Sequence, residues 1–168
     1  MTEGLEVDVS ISCPAWTATL PEAQGLCRDA ALAAFLAAAP GVAWAEASLM
    51  LTDDAMVWDL NRAYRGRDEP TNVLAFPGLD DAGAPGVPPM LGDVVVAYET
   101  AAAEAAHSRT ALDDHLSHLI VHGILHLLGH DHETDVDAER MEGLESRVLA
   151  SLGVELEDAV VPSDGEGR

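Results

Sequence analysis

The segment from about Ala111 to Leu128 constrains this chain more than any other. Residues on a helix advance by roughly 100° each. That spacing gathers His115, His118, His122 and His126 into one sector of about 80°, and Leu116, Leu119, Ile120, Val121, Ile124, Leu125, Leu127 and Leu128 cover the rest of the circumference. A helix that is apolar almost all round has to be buried, so the remainder of the fold must wrap it. Its polar stripe is then buried as well, and buried polar groups need partners.

Within that helix, His122 and His126 stand one turn apart, roughly 5 Å, so both imidazoles can close on one metal ion. Gly129 suits the helix end because glycine adopts a left-handed conformation without steric cost. The chain can then turn back and bring His132 over the same point as a third ligand. A lone HxxxH pair is common by chance, and a lone buried histidine is usually a satisfied core residue. The glycine stop, the third histidine, and the confinement of all seven histidines to the stretch from His107 to His132 make this pattern more specific. Three neutral imidazoles with no fourth protein ligand in view fit one catalytic zinc ion better than a structural one.

At 168 residues the chain is long enough to bury a core as a single domain over 1–168. Cys13 and Cys27 follow no metal or redox spacing, and so few cysteines argue against a disulfide scaffold and fit a reducing interior. No signal peptide is visible in the acidic, alternating first residues. The longest apolar run, Ala30 to Ala39, has about half the length of a membrane span. The expectation is a soluble, cytoplasmic protein with no membrane partner. Thirty acidic residues stand against eight basic ones, all arginine, for a formal net charge of −22. Such a chain repels nucleic acid at long range and gains no affinity from a general basic surface, so a polyanionic substrate has to be held locally. Arg62, Arg65 and Arg67 form one basic island. Arginines at a helix end also serve the helix macrodipole, and charge alone leaves both roles open.

Taken in order, Leu5, Val7, Val9 and Ile11 alternate with polar residues as in a half-buried strand, which Pro14 ends. Pro21 to Ala39 reads as a helix opened by its proline and closed by Pro40-Gly41. Val42 to Leu51 reads as a second strand. Thr52 as N-cap then opens a helix from Asp53 to about Tyr64, with Met56, Val57, Leu60 and Tyr64 on its core face. Arg65 to Asn72 is a polar loop, Val73 to Phe76 a short strand, and residues 77 to 90 a mobile surface loop rich in glycine and proline. Leu91 to Tyr98 is a fourth strand near the centre of the sheet, with Asp93 either a turn residue or facing the site. Helices follow from about Glu99 to Ala106, through the histidine segment, and from Val136 to Leu152 with Asp135 as its cap. From about residue 155 an acidic tail frays. The fold class is α+β: a small mixed sheet of about four strands packed with about five helices, the metal site on a buried helix.

HGILHLLGHDH, with LNRAYRGRDEPTNVLAFP at Leu60 to Pro77 and LGDVVV at Leu91 to Val96, resembles the YbeY family of bacterial metal-dependent endoribonucleases over about Leu5 to Leu152. That resemblance implies zinc ligands at His122, His126 and His132, and a functional arginine near the metal at Arg65. It further implies cleavage of single-stranded RNA, maturation of the small-subunit rRNA 3′ end, a part in ribosome quality control, and the small ribosomal subunit or its proteins as partners. The family more often carries tyrosine where this chain has His130, which adds an imidazole that could compete for the metal. The residue types agree with a phosphodiester hydrolase: an open zinc site lowers the pKa of water towards about 7, and a guanidinium can grip a phosphate through two parallel hydrogen bonds.

Two other functions fit parts of the sequence. The spacing HxxxHxxGxxH is shared with zinc peptidases, which place Glu directly after the first histidine as general base; here that position is Gly123. An acidic adaptor with a structural metal, docking on ribosomal or other basic proteins, is favoured by the net charge. His115 and His118 either support the metal ligands from behind or contact substrate, or are buried neutral residues hydrogen-bonded to a carbonyl. Asp131 either orients a ligand or makes the turn, and Thr71 and Asn72 either line the site or satisfy loop backbone.

Overall fold

The computed structural model describes residues 4–68, 71–78, 89–131 and 133–154. Four strands, β1 (Gly4–Ile11), β2 (Trp44–Thr52), β3 (Val73–Pro77) and β4 (Met90–Ala97), form one sheet in the order β1-β2-β4-β3. β1 and β4 each run parallel to β2, and β3 runs antiparallel to β4. The parallel pairs need crossovers, supplied between β1 and β2 by helices α1 (Pro14–Thr19) and α2 (Ala23–Ala38) and after β2 by α3 (Asp54–Arg65). Helices α4 (Tyr98–Ser108), α5 (Leu112–Leu127) and α6 (Asp135–Ser151) follow. This is the expected α+β class with β4 inside the sheet, and among the described residues the helices number six.

Strand alternation decides what each face covers. Val94 and Val96 of β4 join a core with Leu116, Leu119, Ile120 and Ile124 of α5, whereas Val95 and Ala97 join Val57 of α3 and Leu74 of β3. So α2 and α5 lie on one face and α3 on the other. The buried face of α2 is mostly alanine (Ala23, Ala30, Ala31 and Ala34), whose small side chains let it sit close to α5. On the side away from the sheet, α6 packs on α5 and α2 with Met141, Leu144, Val148 and Leu149. The histidine helix is thereby enclosed, as its composition required.

Several local expectations are corrected. Pro14 does more than end β1: it occupies the first turn of α1, where its missing N–H costs nothing, and Trp16 is fully buried with its Nε1 donating to the Thr52 carbonyl at 3.0 Å. The helix expected from Pro21 starts at Ala23. Asp53, not Thr52, caps α3, its carboxylate accepting from the Met56 N–H at 2.9 Å. Thr52 instead ends β2 and accepts from the Ser12 hydroxyl at 2.8 Å. On α3 the buried residues are Val57 and Asn61, while Met56 is 40% and Tyr64 73% exposed, because this helix covers only part of its sheet face. Thr134 rather than Asp135 caps α6, accepting from the Asp137 N–H at 3.0 Å. Most of the glycine- and proline-rich loop (79–88) and the acidic tail from 155 lie outside the described residues. Among the described residues no helix is long and apolar enough to cross a membrane.

Candidate active site

Two glycines set the depth and the end of α5. At Gly123 a side-chain carbon would stand 2.7 Å from Val94 Cγ1, so only glycine allows the helix to approach β4 this closely. Gly129 has φ +99°, with its N–H on the His126 carbonyl and the His130 N–H on the Leu125 carbonyl, both at 3.0 Å. This pair of bonds around a left-handed glycine closes the helix and turns the chain immediately after His126.

Every residue from His115 to Leu125 is buried, and the histidine stripe is answered by carboxylates from neighbouring helices. His115 Nε2 lies 2.9 Å from Glu104 Oε1 on α4, and that same oxygen accepts from Asn72 Nδ2 at 2.9 Å. Glu145 of α6 reaches two rings at once, with Oε1 3.1 Å from His118 Nε2 and Oε2 2.6 Å from His122 Nδ1. Burial alone would push the Glu145 carboxyl up. The hydrogen bonds from His118 and His122, with the charge these rings can carry, outweigh that and hold it at about 2. His115 and His118 are thus buried, and each is paired with a carboxylate from a neighbouring helix.

His122 and His126 come together as their spacing required. Their ring centroids are 4.7 Å apart at 74°, with His122 2% exposed, His126 half-buried, and both Nε2 atoms buried. Two neighbouring imidazoles, one with its Nδ1 turned to a carboxylate, are a donor set suited to a divalent transition metal. His132, the third expected ligand, lies outside the described residues, and among those described no three His, Cys, Asp or Glu side chains converge as a metal site. His130 is half-buried just past the turn. The Asp131 carboxylate accepts from the Glu133 N–H at 3.3 Å, which gives it a role in the turn.

Arg65 belongs to the last turn of α3 rather than to a loop. Its Nη2 donates to the Ala75 carbonyl, and its guanidinium lies over the Phe76 ring, 5.2 Å from the centroid. Both contacts are on β3, the strand whose other face meets α5. Arg62 is paired with Asp59 at 2.8 Å and approaches Asp68 at 3.7 Å, so part of the basic island is neutralised at the helix end. Asp93 does not face the histidines. It sits on the α3 side of β4, in a groove of about 570 Å³ lined also by Asp8, Ser10, Ser48 and Tyr64, and partial burial raises its carboxyl. That groove and the histidine pair lie on opposite faces of the sheet, and the ligand chemistry, not the presence of a hollow, marks the candidate site. Thr71 and Asn72 are buried, and the Asn72 carbonyl accepts from the Ala97 N–H at 2.9 Å, a role in the backbone and the Glu104 contact.

Glu145 is the residue that sequence reasoning missed, although a signal was there. Taking Met141 as zero, helical spacing puts Glu145 at about 40°, between Met141 and Leu149 in the apolar stripe of α6. A carboxylate inside such a stripe has to have partners.

A model of the family described as endoribonuclease YbeY matches residues 19–153. The endoribonuclease YbeY of Paramagnetospirillum magneticum is 52% identical over 160 residues, covering 92% of this chain and 96% of the relative. That of Parvibaculum lavamentivorans is 49% identical over 158 residues, covering 90% and 83%. Among solved structures, the solution structure of TM1509 from Thermotoga maritima matches with a TM-score of 0.57 and 19% identity, over 88% of this chain and 91% of that one, a likeness of fold.

Proposed function

The chain belongs to the endoribonuclease YbeY family, and from that premise we propose that it is a zinc-dependent endoribonuclease cleaving single-stranded RNA, acting in the cytoplasm in maturation of the small-subunit rRNA 3′ end and in ribosome quality control. The observation that carries the reading is the His122–His126 pair, its rings 4.7 Å apart on a helix whose inner histidine is held by Glu145.

In this reading His122, His126 and His132 hold one zinc ion, which when bound supplies a Lewis acid for a phosphoryl oxygen and lowers the pKa of water. Arg65 binds the scissile phosphate and stabilises the charge that builds on it, through two N–H groups of its planar fork. Its contact with the Ala75 carbonyl and its position over Phe76 orient that fork in advance, so less side-chain freedom is lost on binding. The burial of His122 on the inner side keeps water from that flank of the site. The net charge of −22 opposes capture of free RNA, which favours delivery of the substrate by a basic partner such as a small-subunit protein. The adaptor role is then part of the enzyme's action. A peptidase reading finds no support in the position after His122: Gly123 is pressed against Val94, and a glutamate there would not fit.

The test is cleavage of a labelled single-stranded RNA beside its duplex, with the purified protein before and after chelation. Cleavage confined to the single strand, lost on chelation and restored by zinc, supports the proposal. Cleavage indifferent to chelation, or none by zinc-loaded protein with a small-subunit fraction supplied, contradicts it.

A further inference from the structure

We propose that Glu145 is the positioning residue of the metal site, its carboxylate accepting from His122 Nδ1 and from His118 Nε2 so that His122 presents Nε2 as a lone pair, with His118 anchoring the carboxylate. The inference rests on the metal reading above and goes beyond it in naming the groups that set a ligand's tautomer and ring angle.

An ionised carboxylate only accepts hydrogen bonds, so each ring nitrogen facing Glu145 carries the proton. With Oε2 2.6 Å from His122 Nδ1, the proton of a neutral His122 is on Nδ1, which makes Nε2 the nitrogen that carries the lone pair. The other oxygen, 3.1 Å from His118 Nε2, ties the carboxylate to α5 one turn earlier, so Glu145 cannot swing away from His122. His118 Nδ1 is buried with no hydrogen-bond partner among the described residues, so the ring is held through Nε2. Glu145 itself is 6% exposed among Met141, Leu144, Val148 and Leu149. For stability alone, replacing Glu145, His118 and His122 together by apolar side chains of similar volume would serve as well as this buried polar cluster, or better. The charge is explained by what it does to His122.

The experiment compares wild type, Glu145→Gln and Glu145→Met. Zinc affinity is read by competition with a chromophoric chelator, folding by circular dichroism, and the His122 tautomer by ring-nitrogen NMR of the metal-free protein. Methionine leaves no acceptor and glutamine can accept from only one of the two rings. We expect Met to retain the fold while zinc binding weakens about 10- to 100-fold, Gln to fall between Met and wild type, and wild-type His122 to carry its proton on Nδ1. Zinc affinities within about threefold of wild type in both variants, or a wild-type His122 protonated on Nε2, overturn the inference. Wild type that takes up no zinc in the same titration overturns the metal reading, and this inference with it. Should the variants not fold, the wild-type tautomer decides alone.

Discussion

Glu145 Oε2 on α6 lies 2.6 Å from Nδ1 of His122 on α5, so a carboxylate from a neighbouring helix reaches the inner histidine of the candidate metal pair. Its folded-state pKa of about 2 lies below the ordinary value of 4.5. A depressed acid pKa stabilises the fold fully above the unfolded value and loses that contribution as pH falls through the folded one. In metal-free protein, denaturant titrations should show wild type and Glu145→Gln differing most above about pH 4.5, with the gap closing towards about pH 2. A gap that stays constant across that window contradicts the pairing.

The approach of Gly123 to Val94 predicts a coupled pair. Adding a methyl at Gly123 should cost about 1–3 kcal/mol by overpacking, partly offset by roughly 1 kcal/mol gained from helix propensity. In a Val94→Ala background the clash is relieved, so Gly123→Ala should there be neutral or stabilising. Thermal unfolding of the four proteins of the cycle checks this, and the same effect in both backgrounds refutes the contact.

Arg65→Ala should lower RNA cleavage by about 100-fold or more while leaving zinc content unchanged. Arg65→Lys should recover little, since an ammonium cannot bind a phosphate through two parallel bonds or stack on Phe76 as a planar group. Single-turnover cleavage rates with saturating RNA measure it. Full activity in the alanine variant removes Arg65 from catalysis.

Burial pushes the Cys27 thiol up to about 12, against a smaller opposing effect from Arg28. Since the thiolate is the reactive form, Cys27 should resist alkylation near neutral pH until the protein unfolds. Its labelling, followed by mass spectrometry along a denaturant series, should track loss of helical signal. Rapid labelling of Cys27 in native protein contradicts that burial.

What the sequence revealed follows from the kind of signal each feature carries. The burial of α5 and the alternation in β1 depend on residue periodicity, and both can be read directly. The partners of the histidine stripe could not be read, because Glu104 and Glu145 come from other helices and only the packing of α4 and α6 on α5 brings them in. Met56 and Tyr64 were misplaced for a related reason: spacing shows that a helix has an apolar face but not how much of that face its neighbour covers. The first-turn role of Pro14 was hidden because a proline that ends a strand and one that begins a helix look alike until the next element is known. Of the site, the His122–His126 pair follows from a four-residue step along one helix. The contacts of Arg65 with Ala75 and Phe76 depend on where α3 ends relative to β3.

The most direct measurement is the zinc content of purified protein, wild type beside His126→Ala, with both shown to be folded. About one equivalent is expected in wild type and little in the variant, since two remaining imidazoles do not complete the site. Equal zinc in the two proteins, or none in wild type after zinc loading, contradicts the zinc site.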